Sequence, residues 1–510
     1  MRGVAVRAGL GLAFCAAAAQ AHIGSPDVYL DAKAGPYQLF VTVRPPVVIP
    51  GVAELEVRSA SPGIREVRAV PMPISGPGAQ FAPVPDKLKR SAQDPQFFSG
   101  TLWMMAPGSW QVRLTALGTR GEGLVSVPVP SAALTTRKMQ RTRGIGLSVL
   151  GIFLATALVA VVGAGAREAK LEPGTTAGSR DRRRGFVAMA YAAVIVAAAL
   201  WYGNSWWNSE ATAYCEKVYK PLQMSAAVDN RGVLTLRMTD PGWLLPKRRP
   251  FVRAFLVRTI DDLIPDHDHL MHLYAIRQPA LDIVYHLHPD LVDTGVFQLK
   301  LPNMPAGTYQ LYADIVHANG FPETLAAKLQ LAEDLKGRPL AGDDASAIAS
   351  GWRRAVPSDS FALPDGYRMQ WVRGTGPLRA RNATLFRFRL IDPQGHAPKD
   401  MALYMGMPGH AAFVKTDGSV FAHIHPTGSV SMAAFMLAQS RNGKDMAAQM
   451  PAMNMAGMEM PAMNHSGTAD SLPNEVTFPY GLPSAGQYRI FVQMKHGGRV
   501  ETGVFDADVN

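Results

Sequence analysis

The chain has 510 residues, a formal net charge of +11 and a pI near 9.6, enough length for about three domains. Its basic residues are spread along the chain and do not gather in one aromatic-interleaved motif, which argues against nucleic acid as a partner. Small basic runs flank apolar segments instead, which is the pattern of membrane topology.

The first 21 residues, "MRGVAVRAGLGLAFCAAAAQA", combine Arg2 and Arg7, an apolar run and the small-residue triplet Ala19, Gln20, Ala21. That is the grammar of a signal peptide over 1–21, and cleavage after Ala21 would leave His22 as the mature N-terminus. Cys215 is then the one cysteine left, so an exported chain of this kind has no internal disulfide to rely on and must rest on apolar cores. Residues 22–131 contain "YQLFVTVRP", "AELEVRSA", "FFSGTLWMM" and "SWQVRLTAL", short alternating or apolar runs separated by Pro and Gly. They predict one antiparallel β-sandwich domain.

Two uncharged stretches follow, 145–166 and 185–207, each long enough to cross roughly 30 Å of hydrocarbon. The loop 167–184 carries Arg167, Lys170, Arg180, Arg182, Arg183 and Arg184, so the charge bias places it in the cytoplasm and both large regions in the periplasm of a bacterial inner membrane. Trp201, Tyr202, Trp206 and Trp207 suit an interfacial aromatic belt. The expected fold is therefore mainly β, with Ig-like antiparallel sandwich domains on both sides of a two-helix transmembrane hairpin.

The region after the second span contains an internal repeat, copy one over 222–335 and copy two over 352–510. His272 is followed by His286 and His288, closed by Pro289; His410 is followed by His423 and His425, closed by Pro426. Tyr309 and His317 in copy one match Tyr488 and His496 in copy two. Residues two apart on a strand share a face, so each H-x-H presents two imidazoles side by side. Four imidazoles converging at the edge of each sandwich would make one metal site per repeat, since neutral imidazole binds copper, zinc and nickel. Packed structural histidines are the plainer alternative.

Just before the leading histidine, His267 and His269 of copy one are replaced by Met405 and Met407 at the same offsets in copy two. Exchange of imidazole for thioether suits copper, Cu(I) or Cu(II), better than zinc or calcium. Copy two also takes fifty-six residues from Pro426 to Leu482 where copy one takes twelve from Pro289 to Leu301, an insertion of 44 residues whose Met-rich part we place at 432–465. Met446, Met450, Met453, Met455, Met458, Met460 and Met463 stand there among Ala, Gln, Asn, Gly, Glu and Pro, with His465 after them. Lacking branched aliphatics, the segment is expected to form a loop whose thioethers wrap Cu(I) without deprotonation.

This loop resembles the Met-rich segments of periplasmic copper-resistance proteins. His22 is similar to the mature N-terminal histidine of the CopC-type copper carriers, and the resemblance implies Cu(II) binding by its α-amine and imidazole; the residues after His22 depart from that pattern. The "HLHP" and "HIHP" blocks resemble those of uncharacterised bacterial membrane-associated proteins with Ig-like domains. These readings predict a non-catalytic, membrane-anchored periplasmic copper-binding protein for copper tolerance or delivery, with copper ions, the inner membrane and other periplasmic copper proteins as partners and no nucleic acid. A copper-dependent oxidase or oxygenase and a non-catalytic envelope interaction protein are the alternatives.

Overall fold

The computed structural model describes residues 27–74, 81–241, 260–352, 358–440 and 472–510. The chain is mainly β and divides into two compact units, one of residues 1–132 with 219–510 and one of residues 133–218.

The second unit is a pair of helices, Arg141–Glu168 and Ser179–Glu216, both long and apolar enough to cross a membrane. Each overruns its apolar stretch, and the second runs on through Ser205 to Glu216. The two helices meet at Gly163 and Gly185: a Cβ on Gly163 would lie 2.2 Å from Met189, and one on Gly185 would lie 3.0 Å from the Gly163 carbonyl. Small residues at this crossing let the backbones approach, as apolar helices require when packing alone holds them together.

The first unit begins with the expected sandwich. Val28–Ala34, Tyr37–Arg44, Gly51–Ser59, Phe97–Met104 and Lys89–Arg90 form one sheet; Asp86–Lys87, Ile64–Pro73, Gly108–Gly118 and Gly121–Ser131 form the other. In Tyr37–Arg44 the side chains of Tyr37, Leu39, Val41 and Val43 are fully buried, the alternation of a strand packed on one face. Each such apolar side chain contributes about 1.5–3 kcal/mol on burial.

The two repeats share a topology. In copy one a four-stranded sheet (Gln223–Val228, Val233–Thr239, Val296–Lys300, Asp290–Asp293) faces a larger sheet ordered Leu263–Ile264, Gly307–His317, His272–Gln278, Ile283–Leu287, Ala345–Ile348, with Pro322–Leu331 also paired to Gly307–His317. In copy two the small sheet is Ser360–Ala362, Arg368–Val372, Thr384–Ile391, Glu475–Tyr480. Its larger sheet is ordered Met401–Ala402, Gly486–His496, His410–Lys415, Phe421–Ile424, with Arg499–Val509 on Gly486–His496. The sheet of copy one therefore runs past the expected boundary at 335 to include Ala345–Ile348.

The larger sheets are covered on both sides. Leu273, Ala275, Tyr285 and Leu287 point into the core of copy one; Ala411, Phe413, Ala422 and Ile424 point into that of copy two. The opposite faces meet each other: Tyr274, Ile276, Val284 and Tyr312 from copy one pack with Ala412, Val414, Phe421 and Phe491 from copy two. The Tyr312 and Phe421 rings stack with centroids 4.2 Å apart. Burial on both faces explains why these strands read as continuous apolar runs and not as clean alternations.

The start of the insertion departs from the expected loop. Met432–Gln439 is a helix whose N-cap Ser431 accepts a hydrogen bond from the Ala434 amide. Its apolar face, with Ala433, Leu437 and Ala438, packs on Ile74, Ile264 and Val316, so it joins the N-terminal sandwich to copy one. The Gln439 side chain donates to the Ser126 carbonyl at 2.8 Å. His22, Met446, Met450, Met453, Met455, Met458, Met460, Met463 and His465 lie outside the described residues.

Candidate metal centre

Strand periodicity decides which histidines meet. His272, His286 and His288 lie on the face of copy one that looks away from its own core, in phase with Tyr274 and Val284; His410, His423 and His425 occupy the matching face of copy two. Because these two faces pack together, the six imidazoles collect at one place between the repeats. Instead of one site in each repeat, the chain builds a single shared cluster.

The approach turns add two more. Asp266 and His269 bridge across His267 and Asp268, and Tyr404 and Met407 bridge across Met405 and Gly406, so the two turns correspond residue for residue. The central pair of each has positive φ: 50° and 68° at His267 and Asp268, 49° and 75° at Met405 and Gly406. Copy one holds non-glycine residues in both strained places, at about 1–3 kcal/mol each, a cost that points to a function for this turn. From there His267 reaches the histidines of copy two, its ring centroid 5.0 Å from both His410 and His425. His269 stacks on His288 at 3.9 Å.

Two groups have the geometry of a metal triad. The nitrogens of His267, His410 and His425 lie within 4.8 Å of one another, and so do those of His272, His286 and His288. Three imidazoles on one ion, bound at about 2.0–2.1 Å, place their ring centroids roughly 5–5.5 Å apart at trigonal to tetrahedral angles. The first triad measures 5.0, 5.0 and 5.0 Å. The second measures 5.5, 5.1 and 4.7 Å.

Outer partners fix which nitrogen of each ring is bare. His272 donates from Nε2 to the Asp266 carbonyl at 2.9 Å, leaving Nδ1 inward. His286 donates from Nδ1 to Gln493 Oε1 at 2.8 Å, leaving Nε2 inward. Tyr404, whose hydroxyl donates to the Asp343 carbonyl at 2.6 Å, lies 3.2 Å from the same Nδ1 with its oxygen free to accept. His288 donates from Nδ1 to Asp344 at 3.2 Å, His425 from Nδ1 to the Val430 carbonyl at 3.1 Å, and His267 to the Met405 carbonyl. His423 Nδ1 lies 3.4 Å from Asp314. Meanwhile Nε2 of His267, His288, His423 and His425 and both nitrogens of His410 are buried with no hydrogen-bond partner. Anchored outer nitrogens and bare inner ones are the mark of a preorganised ligand shell.

Electrostatics agrees. Burial, followed by mutual repulsion, holds His272, His286, His410 and His423 well below the ordinary imidazole range and His267 down at about 3. These rings are neutral near pH 7, the form in which imidazole ligates a metal. Burial pushes the Asp344 carboxyl up, but hydrogen bonds from His288 and Arg338 outweigh it and keep the group ionised. Burial, opposed by the hydrogen bond from Thr324 and aided by the charge of Asp266, raises Asp314 to about 7. His269, beside Asp343 at 3.6 Å and about 29% exposed at its side chain, is the member of the cluster nearest solvent.

His317 and His496 stand apart. Tyr309, Leu311, Ala313 and Ile315 share the face of His317, and that face is the core of copy one. The ring is clamped between Asp262 at 2.6 Å and Glu323 at 3.0 Å. His496, in phase with Tyr488, Ile490, Val492 and Met494, lies 3.5 Å from Asp400 and 3.7 Å from Glu501. Each ring lies beside two carboxylates, hydrogen-bonded to them in His317 but with both nitrogens lacking a hydrogen bond in His496, and strand phase turns both away from the H-x-H pairs, which corrects the expectation that they join them. Met405 and Met407 are buried in the turn that answers to His267 and His269. The supporting residues Gln493, Asp314, Asp344 and Tyr404 carried no signal recognised in the sequence; Gln493 and Asp314 each stand five residues after the repeated tyrosine.

Comparison with known proteins adds little to this geometry. A model described as a domain of unknown function, DUF8832, matches residues 362–510, which is copy two. No curated protein matches the chain. Among solved structures, Salmonella alpha-2-macroglobulin aligns at 8% identity and a TM-score of 0.20 over 94% of this chain, which spans 24% of that protein. A putative membrane anchored protein from Corynebacterium diphtheriae aligns at 9% identity and a TM-score of 0.15 over 94% of each chain. SGBP-B from a xyloglucan utilization locus of Bacteroides uniformis aligns at 9% identity and 0.16 over 94% of this chain and 98% of its own. Scores this low carry no argument about fold or function.

Proposed function

We propose that this chain is a membrane-anchored periplasmic copper-binding protein, serving copper tolerance or delivery, whose two repeats share one buried polyhistidine centre. The observation that carries the reading is the pair His272 Nδ1 and His286 Nε2, 3.3 Å apart. Outer hydrogen bonds leave both atoms as bare lone pairs, so they repel unless a cation lies against them, and burial disfavours a proton there. A metal ion satisfies both. The residues that would hold it are His272, His286 and His288 on one side and His267, His410, His423 and His425 on the other. Imidazole alone suits copper, zinc and nickel; the replacement of His267 and His269 by Met405 and Met407, and the methionine run from Met446 to Met463, favour copper. The run would capture Cu(I) and pass it inward.

A copper oxidase or oxygenase is the second reading, favoured by the burial of the centre, which suits a resident ion better than rapid hand-over. Oxygen consumption by copper-loaded protein in the presence of a reductant would support it.

The test uses the full chain in detergent, exposed to equal copper and zinc and then dialysed, with metal counted by mass spectrometry. Two copper ions per chain are expected, and about one fewer in His425→Ala and in His288→Ala. Retention of no metal, or of zinc in preference to copper, would overturn the proposal.

A further inference from the structure

The support of each triad is exchanged between the repeats. His272 pairs in register with Asp314 and His410 with Gln493, so Asp314 and Gln493 are equivalent positions of the two copies. Gln493 of copy two holds His286 of copy one at 2.8 Å, and Asp314 of copy one faces His423 of copy two at 3.4 Å. The turns cross in the same way: His267 leaves copy one for His410 and His425, while Tyr404 leaves copy two for His286. Reciprocal contacts of this kind relate the copies by a twofold operation.

That operation has two consequences. First, the triads adjoin. His423, a member of neither, lies between them, 5.4 and 4.7 Å from His410 and His425 and 5.3 and 5.5 Å from His272 and His286, and His267 of one triad lies 6.2 Å from His272 of the other. Second, His267 of one triad has Met405 as its counterpart, and Met405 is likewise buried. The operation that carries His410 and His425 onto His272 and His288 carries the donor at 267 onto the donor at 405.

We infer that the centre holds two copper ions as one coupled but inequivalent pair, one bound by imidazoles alone and the other by His272, His286 and His288 with the thioether of Met405. The inference rests on the copper reading above. An imidazole-only site tolerates Cu(II), whereas a thioether stabilises Cu(I), so the two ions differ in the oxidation state they prefer.

The experiment is electron paramagnetic resonance of the full-length protein saturated with Cu(II), with total copper counted in parallel, followed by Cu(I) competition titration of Met405→Leu. Two coppers per chain with fewer than half of the expected spins, or with a half-field transition, are predicted. Met405→Leu should keep both Cu(II) ions and lose tenfold or more in Cu(I) affinity at one site. If Met405→Leu does not fold, X-ray absorption decides: a chain whose seven methionines from Met446 to Met463 are changed to leucine should still show sulfur bound to Cu(I). Two coppers giving additive, uncoupled spectra would overturn the pair while leaving the copper reading intact. Unchanged Cu(I) affinities in Met405→Leu, or absence of the sulfur scatterer, would overturn the role of Met405. Failure of the wild-type chain to retain copper at all would instead overturn the reading on which the inference rests.

Discussion

His272 Nδ1 and His286 Nε2 face each other across 3.3 Å in the interior, and the outer nitrogen of each ring is already committed, to the Asp266 carbonyl and to Gln493. Without metal such a pair is destabilising, because two acceptors confront one another where water does not reach them. Ligand binding to the folded state alone stabilises by about 2.7 kcal/mol at one hundred times Kd. Copper loading should therefore raise the melting temperature by several degrees, and a chelator should reverse the gain. A melting temperature indifferent to copper would count against the centre.

Gln493 is a positioning residue: its amide oxygen fixes the proton of His286 on Nδ1. Gln493→Leu keeps the size of the side chain and removes this acceptor. Loss of an outer partner of a ligating histidine costs about 10- to 100-fold in metal affinity. Competition titration should show that loss with the stoichiometry unchanged.

The metal-free protein should weaken in mild acid. Seven histidines, at 267, 269, 272, 286, 410, 423 and 425, have folded values below the ordinary 6.5, chiefly through burial. Below pH 6.5 the unfolded chain then binds more protons than the folded one, so stability is full above 6.5 and falls as pH drops toward about 3, where His267 titrates. Each contributes a slope of up to about 1.4 kcal/mol per pH unit. Asp27, Asp31, Asp314, His317 and Glu501, whose folded values are raised, oppose this and are outnumbered. The urea midpoint of the metal-free chain should fall between pH 7.5 and 5.5; a constant or rising midpoint would contradict the burial of neutral imidazoles.

His317 answers to different physics. Burial lowers its value, but the bonds to Asp262 and Glu323 outweigh that and raise it, so the clamp stabilises most below pH 6.5 and weakens as pH rises past the folded value. His317→Leu removes the imidazolium partner of the Glu323 carboxylate, whose side chain is fully buried. Breaking a buried pair in this way costs about 3–5 kcal/mol. Chemical denaturation should show the loss, Glu323→Gln in the same chain should recover part of it, and copper stoichiometry should not change.

The repeat, the spacing of the H-x-H pairs and the replacement of His267 and His269 by Met405 and Met407 were legible because they are local. Strand periodicity also placed each H-x-H pair on a single face. Which face that was depended on what covers the sheet, and a sheet buried on both sides gives no alternation to decide it. Register then separated His317 from His272, since Asp314 and not His317 stands opposite His272. A cue for His317 was present: Tyr309, Leu311 and Ile315 in phase with it are the residues of a core. The helix Met432–Gln439 has its cue in Ser431 and the apolar run after it, a short signal beside the long methionine-rich remainder of the insertion. Sharing of one centre by two repeats had no sequence signature, because pairing of the two sheet faces is a tertiary event.

The most direct test of the shared centre is anomalous diffraction at the copper edge from crystals of the copper-loaded protein. Two peaks are predicted between the repeats, one among His267, His410 and His425 and one among His272, His286 and His288. Copper-loaded crystals with no anomalous density among these histidines would contradict the account.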